Sequence, residues 1–258
     1  MSLAQQIIQT GLWLLEEQLT YGTSGNISAR CPEGDSILIT PSARDFRLLT
    51  ERDMIRVHLA SEQAEGCWKP SSEWRLHVAI YRARLDVNAV IHHHSTFASA
   101  VAVARKTIPV LIDEAVDIGP IPTTLYAPSG SQELAEAVAT ELARGPNATL
   151  LANHGAVAVG RDLGEAMHRA LEVERLAKIY IGAELLGGAH ALDEAQILAG
   201  QKFLEIYRAA ATQGRDVPMT SHVDEPVGLK DLVHYSFRAG VTFAHLVQRL
   251  LLQKGYRF

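Results

Sequence analysis

The stretch Ala89-Val90-Ile91-His92-His93-His94-Ser95 decides how the rest of the chain is read. Apolar, mostly β-branched residues run straight into three histidines, the pattern of a buried strand that ends at a site. Side chains on a strand alternate between faces, so His92 and His94 share one face and His93 takes the other. That spacing makes a two-histidine chelate, because neutral imidazole is a common ligand of zinc and neighbouring transition metals. Histidines at a strand end are equally well read as solvated polar residues, and the triplet alone leaves both readings open. His154 tips the reading towards metal. It follows a second apolar run, Ala148-Thr149-Leu150-Leu151-Ala152, and precedes Gly155. As a third ligand it would leave a coordination position open for substrate.

Three other segments place small donors or acids at element ends. Gly22-Thr23-Ser24-Gly25-Asn26 precedes a short alternating strand, and Thr40-Pro41-Ser42 follows Ser36-Ile37-Leu38-Ile39. Glycine lets backbone N–H groups approach an anion, and hydroxyl and amide side chains add neutral donors; an ordinary turn reads the same way. Lys69-Pro70-Ser71-Ser72-Glu73-Trp74 opens a helix with a serine N-cap and an acid in its first turn. Such a start can hold a phosphate. Plain capping accounts for the same residues. His77, one turn after Glu73, reads as a satisfied helix residue, and His58 as a surface or edge residue.

Outward from these motifs, spacing predicts helices over about 2–18, 97–104, 132–144, 163–186 and 193–212, with a helix-turn-strand over 48–59. Asn147 to Val159 reads as strand, His-Gly turn and strand, and Glu165, Glu172 and Glu174 as a solvated helix face. Leu111-Ile112-Asp113-Glu114-Ala115 is a short apolar run with two adjacent acids. Several strands are separated by short turns rather than helical crossovers. The expected fold is therefore α/β, with a central, largely antiparallel mixed sheet flanked by helices on both sides. No G-x-G-x-x-G follows a strand and no Walker A motif occurs, which removes the common nucleotide-binding folds.

A chain of 258 residues, 47% of them hydrophobic, can fill one sizeable core. A net charge of −5 without a Lys/Arg block excludes a general nucleic-acid surface. Cys31 and Cys67 make no disulfide framework. Met1 to Glu17 carries no basic leader, and no stretch approaches the roughly 20 apolar residues of a membrane span. The expectation is a soluble, cytoplasmic protein. Residues 1–213 are assigned to a catalytic domain, and 214–258 to a polar linker and an amphipathic helical extension.

In order, Gly22-Thr23-Ser24-Gly25-Asn26, Thr40-Pro41-Ser42, Pro70-Ser71-Ser72-Glu73, His92-x-His94 and Asn153-His154-Gly155 resemble the class II aldolase/adducin family, over about residues 1 to 190. The resemblance implies a three-layer α/β/α fold and a homotetramer with sites at subunit boundaries. It implies one zinc ion per subunit, with manganese or cobalt as alternatives, held by His92, His94 and His154. Glu73 would be the catalytic acid/base and a part-time ligand. Asn26, Ser42, Ala43 through its backbone, Ser71 and Ser72 would bind the substrate phosphate. Asp113, with Glu114 beside it, stands where aldolases of the family carry a tyrosine that protonates the departing aldehyde, and is taken as a second catalytic residue. The implied reaction is metal-dependent retro-aldol cleavage of a ketose 1-phosphate to dihydroxyacetone phosphate and an aldehyde. Decarboxylation of a 3-oxo-tetronate 4-phosphate on the same scaffold is the alternative. A glutamate at 73 argues against the epimerases, which place aspartate there, and the intact histidine set argues against a metal-free, adducin-like binding module. Tyr235 and Tyr256 are candidates for a contribution from the tail.

Overall fold

The computed structural model describes residues 1–212. Met1–Glu205 form one compact unit. Of the second, Ile206–Phe258, the described part is the continuation of a helix to Thr212. The expected boundary at 213/214, the linker, the amphipathic extension, Tyr235 and Tyr256 lie outside the described residues.

Seven strands form one sheet: β1 (Asn26–Arg30), β2 (Ser36–Ile39), β3 (Ile55–His58), β4 (Ala64–Glu65), β5 (Ala89–His93), β6 (Ala148–Leu151) and β7 (Gly155–Gly160). Their order is β4-β3-β2-β1-β5-β7-β6. Every pairing between these strands is antiparallel, and parallel pairing is confined to an isolated bridge between Thr123 and Leu150. The helices are α1 (Leu3–Glu16), α2 (Trp74–Ala83), α3 (Thr96–Val103), α4 (Gln132–Ala143), α5 (Leu163–Leu185) and α6 (Glu194–Thr212).

Two cores separate the layers. On one face Ile27, Ala29, Ala89, Ile91, Ala156 and Ala158 pack against α1, α3 and α5. On the other Ile37, Ile39, Val57, Val90, Val157 and Val159 pack against α2 and α4. All five residues of β5 are buried, with β1 on one side and β7 on the other. Burying a Val or Ile side chain contributes about 1.5–3 kcal/mol, and a slip of one residue would send each to the wrong core. The alternation therefore fixes the register: His92 stands opposite Asn26 on one side and Val157 on the other.

Three local expectations change. The helix expected after Leu48 is instead two single 3-10 turns, Phe46–Leu48 and Glu51–Asp53. Each is closed by a carboxylate: Asp45 accepts the Arg47 N–H, and Asp53 accepts the Thr50 N–H and O–H. α2 starts at Trp74, so Glu73 is its N-cap residue rather than a first-turn acid, and its side chain makes no capping bond. Glu174 is 7% exposed, not solvated. It accepts the N–H groups of Phe97 and Ala98, capping α3 from across the core. Among the described residues no helix is long and apolar enough to cross a membrane.

Candidate functional site

The even-numbered end of β5 aims His92 and His94 at the α2 side of the sheet, the face that also receives Glu73 from the turn before α2. His154 enters from the turn between β6 and β7, where Asn153 is left-handed (φ 58°) and the His154 N–H donates to Leu151 O. Gly155 then has no room for a side chain. A Cβ there would lie 2.4 Å from His93 O and 3.0 Å from His94 Cδ2.

These elements bring Glu73, His92, His94 and His154 together, with one ligand atom from each within 4.8 Å of the others. The three imidazole rings stand edge to face at 4.7 to 4.9 Å. His92 Nδ1 donates to Ala156 O at 2.9 Å, which fixes its tautomer and leaves Nε2 facing inward. That Nε2 lies 2.8 Å from His94 Nε2 and 2.8 Å from Glu73 Oε2, and His154 Nε2 lies 3.5 Å from Glu73 Oε1.

Glu73 is 4% exposed. Burial alone would raise its pKa, but facing His92, with His154 and the Ser129 hydroxyl, outweighs burial and holds the carboxyl below the usual range. Burial, reinforced by its histidine neighbours, pushes His94 down to about 3 and lowers His154. The result is a carboxylate anion beside two imidazoles, His94 and His154, that favour the neutral form. Such a donor set, three nitrogens and one carboxylate oxygen with a second partner already fixing His92, fits a divalent metal ion such as zinc.

The two small-donor segments lie side by side. Pro41 and Pro70 form a bridge, the Ser42 N–H donates to Lys69 O, and the Ser71 N–H donates to Thr40 O. Ser42, Ala43, Ser71 and Ser72 are thereby gathered beside Glu73, with Ala43 in a left-handed conformation (φ 53°) and Ser72 exposed. Asn26 is turned towards the carboxylate. Its amide is buried between Glu73, to which Nδ2 donates at 3.2 Å, and His77. Asp113 opens a single 3-10 turn, Asp113–Val116. It and Glu114 are exposed, and neither belongs to the converging group.

Sequence reasoning missed Ser129, whose hydroxyl donates to Glu73 Oε1 at 3.0 Å. The available signal was Gly130. It adopts φ +74°, and a Cβ there would lie 2.8 Å from Ser72 O, so the loop before α4 closes onto the turn that carries Glu73.

Residues 5–181 match the family described as Class II Aldolase and Adducin N-terminal domain. Over 181 residues the chain is 40% identical to L-fuculose phosphate aldolase of Escherichia coli K12, covering 69% of this chain and 82% of that one. Over 190 residues it is 38% identical to a 5-methylthioribulose-1-phosphate/5-deoxyribulose-1-phosphate aldolase of Escherichia coli O45:K1, covering 73% and 86%. A solved structure of an L-fuculose 1-phosphate aldolase superposes with a TM-score of 0.75 at 34% identity, covering 78% of this chain and 95% of that one.

Proposed function

The chain belongs to the class II aldolase and adducin family, and on that premise we propose that it is a zinc-dependent lyase cleaving a ketose 1-phosphate into dihydroxyacetone phosphate and an aldehyde. The observation that carries the reading is the convergence of Glu73, His92, His94 and His154 beside a patch of neutral donors. Named relatives that act on fuculose, methylthioribulose and deoxyribulose phosphates support a phosphorylated sugar as substrate.

His92, His94 and His154 would hold the metal. When bound, it supplies Lewis-acid stabilisation of the negative charge that retro-aldol cleavage leaves on the three-carbon fragment. The hydroxyls of Ser42, Ser71 and Ser72 and the backbone N–H of Ala43 hold the phosphate and orient the bond to be broken. In cleavage the hydroxyl on the aldehyde half gives up its proton as the bond breaks, and Glu73 delivers one to the carbon next to the carbonyl; the reverse direction runs both transfers backwards. Asn26 takes part by gripping Glu73, since its amide is engaged there. The same reading assigns a homotetramer with sites at subunit boundaries and a cytoplasmic location. Light scattering on the purified protein checks the assembly.

The deciding experiment is product release from a panel of ketose 1-phosphates and 3-oxo-tetronate 4-phosphates, with zinc-loaded protein and a chelator-treated control. Dihydroxyacetone phosphate formed only by the loaded protein is the expected result. Carbon dioxide instead would move the assignment to a decarboxylase, and no product from loaded protein would sink the lyase reading.

A further inference from the structure

Behind Glu73 runs a buried polar chain of which the proposed reaction uses only the first member, Asn26. Asn26 and Ser28 on β1, and His77 and Tyr81 on α2, are all between 0% and 4% exposed. Glu73 Oε2 meets Asn26 Nδ2, and Asn26 Oδ1 meets His77 Nε2. His77 Nδ1 lies 2.6 Å from Ser28 Oγ, which lies 2.9 Å from the Tyr81 hydroxyl.

The donor in each link is fixed by the link before it. An ionised carboxylate only accepts, so Asn26 turns its NH2 towards Glu73. Its oxygen must then accept from His77, whose Nε2 carries the proton. Burial, with the charge of nearby His92, pushes His77 down to about 3, so the ring is neutral and Nδ1 is bare. Ser28 donates its single hydroxyl proton to Nδ1, and its oxygen is left to accept from Tyr81. Every proton in the chain points towards Glu73.

We propose that His77 is a positioning residue: by fixing the direction of this chain it turns the Asn26 N–H towards Glu73 Oε2 and so holds the carboxylate in its working orientation. The proposal rests on the acid/base role given to Glu73 above. Presenting the Asn26 oxygen to Glu73 instead would require reversing an amide, an imidazole tautomer and two hydroxyls. Oε1 accepts from the Ser129 hydroxyl at 3.0 Å, so each carboxylate oxygen has its own donor.

Nitrogen-15 NMR of the full-length, zinc-loaded protein reads the His77 tautomer directly. A protonated Nε2 with a bare Nδ1 is expected; a protonated Nδ1, alone or together with Nε2, overturns the proposal. In the kinetic arm, His77→Phe keeps its metal and a KM within about twofold of the parent, while kcat falls about 10-fold to 100-fold. His77→Gln, whose amide donates at one end and accepts at the other, recovers most of that rate. An unchanged kcat in folded, metal-replete His77→Phe overturns the proposal. Should His77→Phe not fold, a His77→Gln rate no better than Glu73→Gln does so as well. Silence from the whole substrate panel would sink the reading of Glu73, and the tautomer spectrum would still decide the direction of the chain.

Discussion

His77 and His93 are both fully buried, and burial pushes both down to about 3, yet they live in opposite circumstances. His77, on the α2 side of the sheet, is bonded at both ring nitrogens. His93, on the α5 side, has no hydrogen-bond partner at either nitrogen among the described residues. The difference follows from the pleat. Placing His92 and His94 together on one face forces residue 93 to the other, among Ile91, Ala156 and Ala158. On the α2 side the buried polar groups around Glu73 satisfy each other, whereas on the α5 side one histidine is carried into an apolar core by its neighbours.

The largest expected break in this contrast comes from moving one residue along β5. His92→Ala is expected to lose bound metal, read by elemental analysis, and to lose turnover by roughly 1,000-fold or more, since the open site needs all three protein ligands. His93→Leu is expected to keep both. A metal-replete, active His92→Ala would undo the assignment of the two faces.

Glu73→Gln comes next. It keeps the shape and the Asn26 contact but cannot carry the proton, so kcat should fall about 100-fold to 10,000-fold with metal content intact. Full turnover from the metal-loaded variant would remove Glu73 from the chemistry.

A smaller effect lies in the pH dependence of stability, measured by denaturant unfolding of metal-free protein. The folded-state pKa of His77 is depressed, so below about pH 6.5 the unfolded chain binds a proton that the folded one refuses. Its contribution is therefore present above about pH 6.5 and is lost as pH falls towards 3, amounting to about 2 kcal/mol between pH 8 and pH 5. His77→Gln should flatten the curve by about that much. An identical slope would mean that His77 takes up its proton in the folded state.

The smallest effect is the stability change in His93→Leu. Removing two unpartnered buried nitrogens at similar volume should raise stability by about 1 kcal/mol. A loss of more than about 1 kcal/mol would show that the His93 ring does have a partner in solution.

What the sequence discloses and what it hides divide along the same physical line. His92 and His94 are legible because a strand has a strict period of two, and His154 because a histidine followed by glycine ends an apolar run. The helices over 163–185 and 132–143 follow from spacing, and in the structure Asp162 and Ser131 cap them. The pairing of Thr40–Ser42 with Lys69–Ser71 is not legible, since a bridge between two prolines leaves no local pattern. Glu174 was misread because a helix face says nothing about which N–H groups a neighbouring helix end will offer to it. The family resemblance assigns Asn26 to the phosphate, and its contact with Glu73 is hidden because it depends on a register opposite His92 that only the folded sheet sets. Ser129 carried no signal of its own.

The four converging donors come from positions 73, 92, 94 and 154, on stretches that meet only once β5 and β7 have paired. An unfolded chain offers no such site, so on the proposed reading the free energy of metal binding adds to that of folding. At a free-ion concentration 100 times the dissociation constant this is about 2.7 kcal/mol. Quality control that removes unfolded chains would then act hardest on copies made when metal is scarce. The steady-state amount of this protein, and not only its rate, would follow the supply of the ion.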